Sequence, residues 1–299
     1  MTNRLEVIVV AHGARELLGN CLMSLREHPP SIPMRVTVVD SGSPDGTPDM
    51  VEEDFPEVRL MRRSNIGFSA ANNRVLLESG QEDAPGLFLL LNPDTEVRQG
   101  TIDAAITRIE SDPRIGMVGV RLVTADGSFD HAAKRSFPTP LSALAHFTGI
   151  GRRAGASPAL SQYRATDLGE DQPGEVDAVN GAFMLVRAEA IRQVGPLDEG
   201  YWLYMEDLDW CRRFGLAGWK VFYEPAGTAL HLKGGSSPAR RQPRQEIAFH
   251  RGMGRFYRRF DAGGNPGAVN FAVYLGIGIK LLISLAISAA SGYGRKTTG

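Results

Sequence analysis

Two cysteines in 299 residues, Cys21 and Cys211, are too few and too far apart for a disulfide framework or a zinc site, and both sit in helical patterns that suit reduced core thiols. The first turn, AHGAREL from Ala11 to Leu17, carries one glycine where a dinucleotide-binding turn needs three. There is also no GxxxxGK[ST] run for a phosphate loop. A nicotinamide enzyme and a P-loop NTPase are both disfavoured on these grounds. Excess charge is missing as well: the formal net charge is -1, which gives no general affinity for nucleic acid. The apolar run in MTNRLEVIVVAHG is too short for a secretory signal and lacks a small-residue cleavage pattern, so the expected place of the catalytic part is the cytosol.

What the chain does have is an ordinary globular composition, 42% hydrophobic and 22% charged, and enough length for a substantial core. Apolar, β-branched runs at Leu5 to Val10, Val36 to Val39, Val58 to Leu60, Leu87 to Leu91 and Met117 to Val120 read as strands. Helical spacing fills the gaps: Leu17, Leu18, Cys21, Leu22 and Leu25, then Ala70 to Glu78, then Ile102 to Ile109. Strands alternating with helices at this rhythm predict an α/β fold, a mostly parallel sheet with helices on both faces.

Two strand ends carry acids. Leu87 to Leu91 stops at Asn92, Pro93, Asp94, and ligands of open parallel sheets sit at the carboxyl ends of strands. A carboxylate there either caps the turn before the next helix or holds a divalent cation against phosphate oxygens. Asp40 ends the second strand and leads into SGSPDGT. It either organises that turn or accepts the N3–H of a pyrimidine.

The stretches VTVVDSGSPDGT (36–47), NIGFSAANN (65–73) and FLLLNPDT (88–95) resemble, in correct order, the three nucleotide-site motifs of family 2 glycosyltransferases of the GT-A fold. The resemblance implies a donor site for a nucleotide-diphosphate sugar, dTDP- or UDP-linked, built from Ala11, Asp40, Ser41, Asn65, Gly67, Asn73, Asn92 and Asp94. It implies a divalent cation, Mg²⁺ or Mn²⁺, held by Asp94. The family's Asp-x-Asp pattern is broken here, because its first acid is Asn92. Asn92 is accordingly expected near the ribose or an outer water.

Beyond Arg121 the texture changes, with turn residues 125–128 and then Lys134, Arg135, Ser136 and Phe137. Residues 149–175 are poor in large apolar groups and read as a loop or lid, or a plain connection. Val176 to Val186 reads as one buried strand with Gly181 inside it. Glu206, Asp207 and Asp209 open a helix, where the dipole favours acids by about 0.3 to 1 kcal/mol each. Three acids in four residues behind Tyr201, Trp202 and Tyr204 exceed that need, and aromatic faces suit the apolar side of a sugar. The run YMEDLDW resembles the acceptor-side signature of the same family. It implies Asp207 as general base of an inverting transfer, with Glu206 as its acceptor-orienting neighbour or as the base itself. Trp202 and Glu206 then bind the acceptor, and Asp209 either binds it or braces the helix. His231, which follows a strand and the turn 224–227, joins the metal site by the same resemblance. Length and these runs look most like bacterial rhamnosyltransferases that use dTDP-rhamnose and lipid-linked cell-envelope precursors.

Seven arginines against one acid between Arg240 and Arg259 suit an anionic bilayer surface better than nucleic acid. The run 268–290 is long enough to span, yet a near-central Lys280 costs about 2.5 to 3.5 kcal/mol on insertion scales, which favours an interfacial amphipathic helix or helical pair, with a spanning helix and a snorkelling Lys280 as the close alternative. The expected organisation is a nucleotide-sugar half (1–120), an acceptor and catalytic half (121–237) and a basic helical region (238–299), peripheral to the inner face of the cell membrane.

Overall fold

The computed structural model describes residues 4–80, 85–137, 168–232 and 242–293. Strands β1 (Leu5–Ala11), β2 (Met34–Asp40), β3 (Arg59–Arg62) and β4 (Leu87–Leu91) alternate with helices α1 (Arg15–Glu27), α2 (Thr47–Asp54) and α3 (Phe68–Leu76). Next come β5 (Thr95–Val97), α4 (Thr101–Ser111), β6 (Ile115–Val123), β7 (Lys134–Arg135), β8 (Gly174–Glu175), β9 (Ala178–Val179) and β10 (Phe183–Arg187). The chain continues through α5 (Ala188–Val194), α6 (Glu206–Leu216), β11 (Lys220–His231), α7 (Pro243–Phe260) and α8 (Gly267–Tyr293).

The main sheet has the order β3-β2-β1-β4-β10-β6-β11-β5, with β8 also on β11. β1 pairs in parallel with β2 and β4, and β6 with β11; β10 is antiparallel to both β4 and β6. Every long strand except β10 thus runs the same way, as the alternating pattern predicts. Side chains alternate across β1: Leu5, Val7 and Val9 join the layer under α1, α2 and α4, while Ile8 joins the one under α3 and α6.

The structure redraws three elements. The run 176–186 is two strands, β9 and β10, because Ala182 N–H turns back onto Asn180 Oδ1 at 2.8 Å and the chain switches sheets there. Residues 225–227 are no strand-ending turn. They bulge out of one long β11, whose pairing with β6 passes directly from Glu224↔Val120 to Thr228↔Arg121. β3 begins at Arg59 rather than Val58.

Helix α7 is bolted to the catalytic half. Arg255 and Arg259 reach Asp198 at 2.9 and 2.8 Å, and Arg259 reaches Asp209 at 3.0 Å. These two arginines are therefore paired within the protein, Arg255 half-buried and Arg259 still exposed, as Arg251 and Arg258 are. α8 folds back along α7 through Tyr257 Oη donating to Asn270 Oδ1 at 2.6 Å and an edge-to-face contact of Tyr257 with Tyr274. Its residues Phe271, Leu275, Ile279, Leu282, Ile283 and Ile287 are exposed over an arc of about 160° at 100° per residue. The helix is apolar around most of its circumference, with Asn270 turned onto α7, so it lacks the polar face of an amphipathic helix. Gly267–Ser288 has a mean hydropathy of 2.0 and almost no protein cover. The proposed lid falls mainly in 138–167, and Arg240 and Arg241 in 233–241, both outside the described residues.

Candidate active site

The parallel strands end along one edge, and the donor residues are found there. Ala11 and Asp40 are register partners at the tips of β1 and β2, and Ser41 N–H donates to the Ala11 carbonyl at 2.8 Å. Asp40 is buried: its Oδ2 accepts the Gly42 and Ser43 N–H groups at 3.1 and 3.2 Å, as the turn reading requires. Its Oδ1, like the Ser41 hydroxyl, is buried with no hydrogen-bond partner among the described residues, so the turn leaves one acceptor oxygen to which the pyrimidine reading can apply.

Asn65 and Gly67 lie on the loop from β3 to α3. Gly67 has φ +96°, and a Cβ there would stand 2.5 Å from Trp202 Cδ1 and 2.7 Å from the Trp202 carbonyl. Phe68 N–H donates to that carbonyl at 2.8 Å, so the aromatic acceptor loop is seated on the donor loop. Only a residue without a side chain allows this approach. Asn73 departs from its expected role. Its amide donates to the Leu197 carbonyl and to Glu199 at 2.8 and 3.0 Å, and its oxygen accepts Leu197 N–H at 3.0 Å. With its hydrogen bonds made inside the protein, Asn73 ties α3 to the 195–201 loop and is no donor contact.

Beyond β4, Asn92 N–H donates to the Ala182 carbonyl at 3.0 Å, and β5 pairs with the end of β11 so that His231 stands opposite Thr95. This register brings His231 Nε2 to 3.6 Å from Asp94 Oδ1. The other ring nitrogen, Nδ1, lies 3.2 Å from Asp130 Oδ2. A carboxylate only accepts, so Nδ1 donates to Asp130 and the Nε2 edge of the ring faces Asp94. A carboxylate and an imidazole side by side are ordinary ligands for a divalent cation, and the residues present fit one. Among the described residues there is no cluster of three or more His, Cys, Asp or Glu suited to a metal. Two protein ligands are nonetheless consistent with a cation whose remaining ligands are phosphate oxygens and water.

Asp130 is absent from the sequence reading. It follows the Thr124–Ser128 turn, whose return places Asp130 N–H on the Leu122 carbonyl at 2.9 Å, beneath His231. No spacing in the sequence marks a contact across 101 positions. Orienting carboxylates of this kind typically tune metal affinity 10- to 100-fold. Asp130→Asn is therefore expected to weaken Mn²⁺ binding in the presence of nucleoside diphosphate by about that factor, read by calorimetric titration.

On the acceptor side, Tyr204 and Met205 both adopt left-handed backbone, φ 69° and 74°, directly before Glu206 and Asp207. Two consecutive non-glycine residues there are strained, and such strain concentrates at functional sites. α7 braces the turn: Gly252 packs so closely that a Cβ would lie 3.1 Å from Met205 Cγ and the Tyr204 carbonyl. Asp207 Oδ1 accepts Leu208 N–H at 2.8 Å, and Oδ2 accepts Gly181 N–H at 3.3 Å and Arg135 Nη2 at 2.5 Å. Gly181 precedes Ala182, the residue bonded to Asn92, so the 92–94 turn and Asp207 hang on one short turn of chain. Arg135, too, carried no signal in the sequence beyond its charge.

Glu206 is almost fully buried with an unpartnered Oε2, and burial reinforced by the neighbouring Asp207 charge pushes its carboxyl up to about 8. Between its ordinary value of 4.5 and about 8 the folded chain binds more protons here than the unfolded chain, so this group's contribution to stability falls as pH rises through that window. Glu206→Gln, neutral throughout, should match the parent's melting temperature near pH 5 and exceed it near pH 9, a comparison made by thermal scans. Asp209 is fully buried, accepting from Arg213 Nε at 2.7 Å and Tyr201 Oη at 3.1 Å and pairing with Arg259. It braces the helix and cannot meet an acceptor. Trp202 is half-buried, with the Arg244 guanidinium 4.2 Å above its ring.

Residues 6–191 match the family model described as Glycosyl transferase family 2. The chain belongs to that family. This glycosyltransferase is 32% identical over 258 residues, 84% of its length and 82% of the relative's, to N-acetylglucosaminyl-diphospho-decaprenol L-rhamnosyltransferase of Mycobacterium tuberculosis. Rhamnosyltransferase WbbL of Escherichia coli is 30% identical over 55% of the chain and 60% of its own. Among solved structures, mannosyltransferase PcManGT of Pyrobaculum calidifontis in complex with GDP-Man and Mn²⁺ superposes with a TM-score of 0.57 at 16% identity, over 99% of this chain and 75% of that one. GalNAc-T7 with UDP, GalNAc and Mn²⁺ gives 0.59 at 13%, over 85% of this chain and 47% of that one. At such identities the likeness is one of fold, GT-A-like.

Proposed function

We propose that this glycosyltransferase is an inverting, cation-dependent enzyme that moves L-rhamnose from dTDP-rhamnose onto a lipid-linked diphosphate saccharide of cell-envelope polysaccharide synthesis. The observation that carries the reading is the 32% identity to the mycobacterial rhamnosyltransferase along 84% of the chain. Asp94 and His231 would hold the cation, whose chemistry is to neutralise the leaving diphosphate. Asp207 takes the proton of the acceptor hydroxyl while that oxygen bonds to the anomeric carbon and the carbon–oxygen bond to diphosphate breaks. Asp40 Oδ1 recognises the pyrimidine, and Trp202 with Glu206 receives the acceptor sugar.

A panel of dTDP- and UDP-sugars with a prenyl-diphosphate N-acetylglucosamine acceptor, with and without EDTA, tests the reading through release of nucleoside diphosphate. Release with dTDP-rhamnose that EDTA stops supports it. Release only with a UDP-sugar changes the donor and keeps the class, and binding without release would leave a carbohydrate-binding protein.

The enzyme works at the inner face of the cell membrane, held by α8 with Arg251 and Arg258 alongside. Full-length protein should float with vesicles containing anionic lipid, and removal of residues 267–299 should abolish flotation.

A further inference from the structure

The acid pair Glu206–Asp207 faces one fixed cation, and its source is a strand with no other evident task. β7 is two residues long and pairs with β9 through Lys134↔Val179 and Arg135↔Ala178. From that ladder the Arg135 guanidinium donates to the Val179 carbonyl at 2.8 Å and to Asp207 Oδ2 at 2.5 Å. The two side chains are only 12% and 13% exposed, so water screens the pair weakly. The donors to Asp207 come from three elements: Leu208 N–H on its own helix, Gly181 N–H from the turn before β10, and Arg135. The remaining titratable groups facing it are Glu206 and Cys211, both on α6. Cys211 is a buried thiol that burial pushes up to about 12, and so it stays neutral.

We infer that Arg135 is the positioning residue of the base: its guanidinium fixes the Asp207 carboxylate on the Gly181 N–H and by its charge makes Asp207, rather than Glu206, the ionised member of the pair. A buried pair of adjacent carboxyls resists double ionisation, and the asymmetry between them is set by which one the cation touches. Glu206, left neutral, offers an O–H to an acceptor oxygen while Asp207 has a lone pair free for the attacking hydroxyl's proton. The inference rests on the transferase reading above for the kinetic part of its test and on geometry alone for the other part.

The test compares full-length protein with Arg135→Gln and Arg135→Lys, checked by thermal melting. With selective carbon-13 labelling of Asp and Glu carboxyls, assigned through Glu206→Gln, the parent protein at pH 7 should show Asp207 ionised and Glu206 protonated. The reverse assignment in the parent overturns the inference whether or not the variants fold. In R135Q the acid limb of the kcat profile should move up by one pH unit or more, with little change in KM for the acceptor. R135K should keep the limb in place on a lower plateau. An unmoved limb in folded R135Q, or an R135K limb displaced as far, overturns it. Absence of transfer with every sugar nucleotide would sink the proposed function and leave the carboxyl assignment standing.

Discussion

Replacing Asp207 by asparagine is expected to lower the turnover of sugar transfer by about 10²- to 10⁴-fold, the usual worth of a positioned general base, while nucleotide-sugar binding stays nearly intact. Asparagine keeps the shape and, with its oxygen in the place of Oδ2, still accepts from Gly181 N–H and Arg135, giving up only the Leu208 N–H contact, so the turn at 180–182 and the residues beyond it keep their main tether. What goes is the negative charge that takes the proton and balances Arg135. The measurement is a paired one, steady-state kcat with the lipid-linked acceptor and calorimetric affinity for the donor. Near-normal turnover in the variant would falsify the base assignment, and Glu206 would be the next candidate.

The second large effect belongs to Asp94. Asp94→Ala should abolish the cation-dependent part of nucleoside-diphosphate binding, because it removes the carboxylate proposed to hold the cation at the end of β4 and leaves only His231 there. In the parent, EDTA should weaken binding of the nucleotide sugar strongly; in the variant, EDTA should make little further difference. Affinity in Asp94→Ala that still responds to Mn²⁺ as the parent does would move the cation elsewhere. Circular dichroism and a thermal scan of the variant without metal check that the fold is kept. This separates loss of a ligand from loss of fold.

Both effects concern residues whose importance the sequence displays, for a physical reason. Asp40 and Asp94 follow apolar runs that can only be buried strands, and a parallel sheet delivers the ends of such strands to one edge. Asp207 and Glu206 open an unambiguous helix. Residues adjacent to regular elements inherit their position from local pattern, and pattern is what a sequence carries. Asp130 and Arg135 had no such marker. Asp130 reaches His231 only because β6 and β11 are neighbours and the chain doubles back after β6. Arg135 reaches Asp207 only because a two-residue strand pairs with β9. Asn73 and Asp209 lie in the expected stretches, but their hydrogen bonds are made within the protein, to Leu197 and Glu199 for Asn73 and to Tyr201, Arg213 and Arg259 for Asp209, which for Asp209 is the helix-bracing alternative.

The C-terminal helices show the same division. Length and hydropathy fixed that 267–288 is apolar enough to cross a bilayer, and composition fixed that arginines precede it. Which arginines are paired within the protein was decided by Asp198 and Asp209, distant acids that hold Arg255 and Arg259.

By itself, then, the sequence determined the α/β class and the places of Asp40, Asp94, Glu206 and Asp207 at the ends of regular elements, because these follow from short-range periodicity; the roles expected of them came from the resemblance of the motifs around them. Only the tertiary structure decided the partners that tune those groups: Asp130 behind His231, Arg135 on Asp207, Gly252 against the strained Tyr204–Met205 turn. Such contacts join residues tens of positions apart through strand pairing and helix docking, and no local pattern specifies which distant segment will arrive.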